Sequence, residues 1–331
     1  MTASYSLRNH AKIPRPTRER VQRAAKKIGY VPQPELGRLM HLLRAHRQPA
    51  YQATLAFLSF SHDADAARHL HRYTADVIAG ARRRAAALGY AVDLFHIDSD
   101  RLSPDRLTAM LKSRGIRGVL ILPLPMVEDC TQLLDWAHFA VVAATYSAQK
   151  LVVNRVVPHH QSNIALAIAK LQQRGCRRLG LVLTDELARR VNFAYEAAVS
   201  LHQQQGDLAP IPPLRLDSTD PARSADAIEP WLDKYRPDTL LTVENAAPLL
   251  QRVLAHRTKS SIALCLLDHS GEDPLPGIDQ HPAIIGETAV DLLAGQVQRG
   301  EIGFGQHPRV TMVEGSWLWA DAPHPARRRP G

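Results

Sequence analysis

ATLAFLSFSHDADAARHLHRYTADVIAGARRRAAALGYAVDLFHI, residues 53–97, changes hydrophobic period twice within one stretch. ATLAFLSF (53–60) is an apolar run of strand length. Val77, Ile78, Ala81, Ala85 and Leu88 then recur at helical spacing as one stripe, and Gly89 ends the helix because it takes a left-handed cap without side-chain strain. YAVDLFHI (90–97) reads as the next strand. Further along, GVLILPL (118–124) and FAVVAATY (139–146) continue the alternation. A second set follows: helix 159–174, strand RLGLVL (178–183), helices 186–204 and 222–234, strand TLLTV (239–243), helix 246–256 and strand IALCLLD (262–268). Apolar strands alternating with amphipathic helices specify parallel sheets covered on both faces, and two such sets specify two lobes of an α/β protein.

Charge separates the front of the chain from these lobes. Residues 1–50 hold eleven basic side chains against Glu19 and Glu35, which is +9, the net charge of the whole chain. The remaining residues are neutral as a set. A short segment holding all the excess positive charge attracts a polyanion through phosphate contacts and counterion release. A solvated basic tail is the plainer reading of such charge, and Arg327, Arg328 and Arg329 fit it. The front segment differs because its arginines sit inside helical periodicity. From Thr17, Val21, Ala24, Ala25 and Ile28 form one apolar face, Arg18, Arg20, Arg23, Lys26 and Lys27 lie off it, and Gly29, Pro32 and Pro34 stop the helix.

At 331 residues and 45% hydrophobic, the chain is long enough for two cores of ordinary size and a small appendage. No apolar run reaches the roughly 20 residues that span a bilayer, and the Arg-rich start lacks the apolar stretch of a secretory signal. A cytoplasmic, nucleoid-associated protein without membrane contact is expected. Cys130, Cys176 and Cys265 are odd in number, far apart and in apolar company, so buried free thiols are expected rather than a disulfide or a metal site.

TASYSLRNHAKIPRPTRERVQRAAKKIGYVPQPELGRLM (2–40) resembles the end of the DNA-binding headpiece and the hinge of the lactose-repressor (LacI/GalR-type) family of bacterial transcription regulators. Thr2, Ser4, Leu7, Ile13, Thr17, Arg18, Arg20, Val21, Ala24, Gly29, Tyr30, Pro32 and Leu39 carry the likeness. It implies that Thr2 to about Leu7 end a recognition helix lying in the major groove. The first helix, the turn and the start of the recognition helix have no counterpart here, so an incomplete helix-turn-helix is expected. DNA contacts are implied for Thr2, Ser4, Tyr5, Arg8, Asn9, Thr17, Arg18, Arg20 and Tyr30, and Leu39 takes the place of the hinge leucine that wedges into the minor groove. Gln33, Leu36 and Gly37 depart from the hinge pattern.

QQRGCRRLGLVL (172–183) and GIDQHPAIIGETAVDLLAGQVQRGE (277–301) resemble segments of the same family's periplasmic-binding-protein-like (type I) core, the latter being the helix that crosses back to the first lobe. The expected organisation is a partial headpiece (1–32), a hinge (33–50), a core (51–322) and a basic disordered tail (323–331). Within the core, the first lobe takes about 51–154 and 278–306, and the second about 155–277 and 307–322. Ligands bind beyond the carboxyl ends of parallel strands, here in the cleft between lobes. By position and by the resemblance, Ser61, His62, Thr145, Tyr146, Arg190, Glu244, Asn245 and Asp268 are the candidate effector contacts. An arginine, acids and amides beside a planar tyrosine suit a sugar or nucleoside, whose hydroxyls each need partners once desolvated.

Enzymatic readings lack residues. The chain has no G-x-G-x-x-G after a strand, no phosphate loop, no G-x-S-x-G, no H-E-x-x-H and no C-x-x-C. His62, His69 and His71 have no partner at a recognised metal-ligand spacing, and His159 and His160 read as a helix start. No enzyme activity, cofactor or metal is expected. Two readings stay open: a homodimeric regulator, by family habit a repressor, that binds an operator duplex under control of a small sugar-like effector; or a ligand-binding protein of the same fold without specific DNA recognition.

Overall fold

The computed structural model describes residues 13–27, 51–60, 67–97, 103–218, 220–257, 262–271 and 273–319. Thr2, Ser4, Tyr5, Arg8, Asn9, Tyr30, Leu39, Ser61 and His62, the hinge, the tail and the side chains of His69 and His71 lie outside the described residues.

The first helix, α1 (Arg15–Lys27), begins ahead of Thr17, with Pro16 in its first turn where a missing N–H costs nothing. Val21 and Ala25 are half-buried, while Ala24 is exposed despite its place on the expected apolar face. Arg18 is half-buried and Arg20 exposed.

From Ala53 two sheets follow. The first orders its strands β2 (Tyr90–Ile97), β1 (Ala53–Phe60), β3 (Gly118–Ile121), β4 (Ala140–Ala143), β5 (Asn154–Pro158) and β11 (Val310–Val313), all parallel. The second repeats that order with β7 (Leu214–Leu216), β6 (Leu179–Thr184), β8 (Thr239–Thr242), β9 (Ala263–Leu266), β10 (Gly277–Asp279) and an antiparallel edge, β12 (Ser316–Leu318). Strand β1 is buried on both sides. Leu55 and Phe57 face a core with α2 (Ala67–Ala87) and α9 (Pro282–Arg299), and Ala56, Leu58 and Phe60 face another with α3 (Pro104–Ser113). Helices α4 (His160–Gln172), α5 (Asp185–Arg190), α6 (Ala194–Gln204), α7 (Pro221–Tyr235) and α8 (Ala247–Ala255) clothe the second sheet around one core. Cys130, Cys176 and Cys265 are buried free thiols.

Three crossings join the lobes. They fall between β5 and α4, between β10 and α9, and between β11 and β12, by sheet membership. Each comes a few residues later than the expected 154/155, 277/278 and 306/307, because β5, β10 and β11 are too short for periodicity to reveal. Gly315 at the third crossing donates its N–H to Asn163 Oδ1 at 2.9 Å, and a Cβ there would stand 2.7 Å from the same oxygen.

Helices α2 and α9 meet backbone to backbone. A Cβ on Gly80 would lie 1.9 Å from the carbonyl oxygen of Ala283, and one on Gly286 would lie 2.0 Å from that of Val77. The two glycines are reciprocal, so neither helix can yield by turning a side chain away. Gly295, on the same helix, faces only the flexible end of Arg299. Gly286→Ala is therefore expected to lower stability by about 1–3 kcal/mol or more through overpacking. Gly295→Ala should be neutral or stabilising by about 0.5–1 kcal/mol, the ordinary gain in helix propensity. Urea unfolding of both variants measures the contrast, and equal effects would refute the close-approach argument.

Candidate functional site

The carboxyl ends of both sheets point into the space between the lobes, and short structural devices hold the polar residues there. After β6, Thr184 caps α5 by accepting the N–H of Leu187 at 3.2 Å. Helix α5 lasts six residues and stops where Asn192 and Phe193 take positive φ values of 53° and 57°. The continuous helix expected over 186–204 is thus two helices, and the break leaves Arg190 at the end of the first. After β8, Glu244 N–H donates to Asp268 Oδ1 at 2.7 Å, which ties the loop beyond β8 to the loop beyond β9.

Arg190 is strongly desolvated, which lowers its pKa, while Glu186, Tyr73 and Asp268 oppose the shift. Its Nε is buried with no hydrogen-bond partner among the described residues. Asp268 is pushed up to about 7, chiefly by burial; the Glu244 N–H and the Arg190 charge pull it down and the Glu244 carboxylate pushes it further up. Tyr73, from α2 of the opposite lobe, is likewise raised by burial. Ionisable groups thus approach from both sides of the cleft, and Tyr73 stays neutral.

An aromatic wall stands beside them. His160 packs edge-on against Tyr195 with ring centroids 4.8 Å apart and lies 6.0 Å from Tyr146. Only 7% of His160 is exposed, burial drops its pKa to about 3, and its Nδ1 has no hydrogen-bond partner among the described residues. It is a neutral ring. Tyr195 Oη accepts from Gln280 Nε2 at 2.8 Å, which fixes its direction. His159 caps α4 through Nδ1, accepting the Ser162 N–H at 3.1 Å, so the histidine pair does begin a helix.

Contacts across the cleft hold the lobes together. Val127 N–H donates to Glu186 Oε1 at 3.2 Å, Gln149 Nε2 donates to the Arg189 carbonyl at 2.9 Å, and Arg72 lies 3.6 Å from Glu244. The half-exposed ion pair contributes about 0–1 kcal/mol, so these contacts favour closure without locking it. Between them Arg72, Tyr73, Asp76, Glu244, Asp268 and Ser270 line a pocket of about 30 Å3, room for roughly one or two waters. Admission of anything larger requires the lobes to part.

Among the expected contacts, Arg190, Glu244, Asp268 and Tyr146 converge on this region. Thr145 instead spends its buried hydroxyl on Ser147, at 2.6 Å from Oγ and 2.9 Å from the backbone N–H, and Asn245 is exposed. Tyr73, His160, Tyr195 and Gln280 were not anticipated. Tyr73 carries a readable signal, one helical turn before Val77 on the apolar stripe of α2. His160 carries none.

No family model matches the chain, and no curated protein sequence matches it significantly. Solved structures do. The transcriptional regulator CelR–cellobiose complex matches with a TM-score of 0.60 at 18% identity over 95% of this chain and 93% of that one. The lac repressor dimer bound to operator and the anti-inducer ONPF matches with 0.57 at 17% identity over 96% and 93%. A regulatory protein of the LacI family from Chloroflexus aggregans matches with 0.61 at 18% identity over 82% and 99%. At such identities the likeness establishes fold. The chain is a two-lobed α/β protein of the periplasmic-binding-protein-like type, and its structural neighbours are LacI-family transcriptional regulators.

Asp268 makes a pH signature. Its pKa is raised from 3.8 to about 7 in the folded state, so between these values the native protein holds a proton that the unfolded chain has released. Its contribution to stability is complete below about pH 4 and is lost as pH rises through 7. Denaturant titrations from pH 4 to 8 should show Asp268→Asn with a shallower decline than the parent. Parallel profiles would contradict a protonated Asp268.

Proposed function

We propose that the protein is a DNA-binding transcriptional regulator, acting as a homodimer in the cytoplasm, whose cleft binds a small sugar-like effector and thereby controls operator binding by the N-terminal segment. The observation that carries this reading is the convergence of Arg190 and Asp268 from one lobe with Tyr73 from the other, beside the neutral His160, in the cleft between the lobes. Buried donors and acceptors beside neutral aromatic rings suit a polyhydroxylated molecule. Cellobiose is the molecule in the CelR complex, and the lac repressor neighbour is bound to operator. The +9 charge of residues 1–50 supplies phosphate contacts, among them Thr17, Arg18 and Arg20 on or beside the exposed side of α1.

An effector that binds the closed lobes better than the open ones shifts their population, and the coupling is reciprocal, so operator DNA changes effector affinity by the same factor.

Selection from a random duplex library followed by binding titrations tests the proposal. A pseudo-palindromic site, bound with steep salt dependence and responsive to an effector, is expected. Binding that ignores both sequence and effector would favour the alternative, a ligand-binding protein of this fold without specific DNA recognition. Leu39→Ala should weaken operator binding by about 1–2 kcal/mol while effector binding persists, as loss of a minor-groove wedge requires. Arg190→Ala should abolish the effector response and leave effector-free operator affinity within about twofold. Loss of both together would remove Arg190 from the effector site.

A further inference from the structure

Two loops of the first lobe grip the short helix α5 of the second. Near its start, Glu186 Oε1 accepts the Val127 N–H at 3.2 Å, and near its end the Arg189 carbonyl accepts Gln149 Nε2 at 2.9 Å. Val127 follows β3 and Gln149 follows β4, so both contacts come from the carboxyl end of the first sheet and exist only while the lobes are together. The helix between them is fixed at both ends, by the Thr184 cap and by the left-handed Asn192 and Phe193.

Glu186 and Arg190 stand four residues apart on this helix. Side chains at that spacing are neighbours, and an acid on the N-terminal side of a base is the favoured order for a pair. They are nevertheless unpaired. Burial dominates the surroundings of Arg190, and the Glu186 carboxylate is the first of the charges that offset it, which places the two near each other. Yet no ion pair joins them, and Arg190 Nε has no hydrogen-bond partner among the described residues. A desolvated charge without a partner is costly. With Oε1 on the Val127 N–H, Glu186 is drawn toward the opposite lobe instead of its helical neighbour.

We propose that Glu186 is a positioning residue of the effector site, acting through Arg190: it accepts the Val127 N–H when the lobes close and pairs with Arg190 when they part. The exchange rests on the reading of Arg190 as an effector contact and adds to it how closure readies that contact. Opening withdraws the Val127 donor, and rotation of the Glu186 side chain alone brings its carboxylate to the guanidinium. Closing reverses the step and leaves Arg190 in need of acceptors, which a hydroxylated effector has. An effector on Arg190 therefore favours the closed lobes, and the Glu186–Arg190 pair favours the open ones when no effector is bound.

Hydrogen exchange at the Val127 amide, followed in the full chain by mass spectrometry at single-residue resolution, reads the closed population without any effector. Arg190→Met removes the open-state pair, so Val127 protection should rise. Relief of desolvation also acts in that direction, so the change is repeated in Glu186→Gln, whose amide oxygen still accepts the Val127 N–H but carries no charge. The rise should be about twofold to fivefold larger with Glu186 than with Gln in place, the effect of a partly exposed ion pair. Added salt screens that pair, so it should raise protection more in the parent chain than in Glu186→Gln, a comparison that needs no change at Arg190. Equal responses in the two backgrounds would make Glu186 a simple latch and overturn the exchange, as would a smaller rise with Glu186 present. Neither measurement uses an effector, so a cleft that binds no sugar would fail separately.

Discussion

The crossing of α2 and α9 is the contact on which the architecture rests. Helix α9 follows nearly all of the second lobe in sequence yet packs inside the first, where Ile285, Ala289, Val290 and Leu293 close the core that β1 opens with Leu55 and Phe57. Gly80 and Gly286 let the two backbones come closer than any side chain would permit. The ion pairs at its rim, Arg83 with Glu287 at 2.8 Å and Arg84 with Asp291 at 2.6 Å, are partly exposed and each contribute at most about 1 kcal/mol. Steric fit therefore sets the position of α9, and the ion pairs only trim it. That position in turn fixes two of the three crossings, because β10 enters α9 and β11 leaves it.

Within the cleft, desolvation dominates over charge pairing. Burial holds His160 neutral and raises Asp268 to about 7 even though a cation lies nearby. At Asp279, by contrast, burial pushes the pKa up but hydrogen bonds from His281 prevail and hold the carboxyl below its usual range. His281, raised by that same bond, has a φ of 53° at the start of α9. The crossing thus keeps its charges while burial in the site behind it favours the neutral forms of His160 and Asp268. Such a contrast suits a cleft that recognises neutral polar groups and a crossing tied by the Asp279–His281 contact at 3.3 Å.

Much of this was legible in sequence, and the gaps have physical causes. Strands β1 and β2 match their expected bounds because long apolar runs leave one period to read. The break between α5 and α6 was invisible, since VNFAYEA keeps helical spacing across it and nothing local announces two left-handed residues that are not glycine. Helix α3 went unread despite a Ser103 cap before Pro104, a signal present in the sequence. Arg190, Glu244 and Asp268 were expected from position together with the resemblance, and all three lie beside the cleft. His160 and Tyr195 escaped because their role depends on two lobes meeting, which no local pattern encodes. The expected DNA contacts other than Thr17, Arg18 and Arg20 lie outside the described residues.

The threefold crossing of the chain between lobes bears on how the protein is made. The first sheet begins at Ala53, but its last strand, β11, ends only at Val313, and α9 precedes that strand by ten residues. Synthesis at roughly 5–20 residues per second therefore leaves the β1 face without its covering helix for tens of seconds. The second lobe, apart from its short edge strand β12, has all its parts once residue 279 has emerged. The order of completion on the ribosome thus nearly reverses the order in the gene: the first lobe waits for α9 and β11, and only the β12 edge of the second lobe emerges after it.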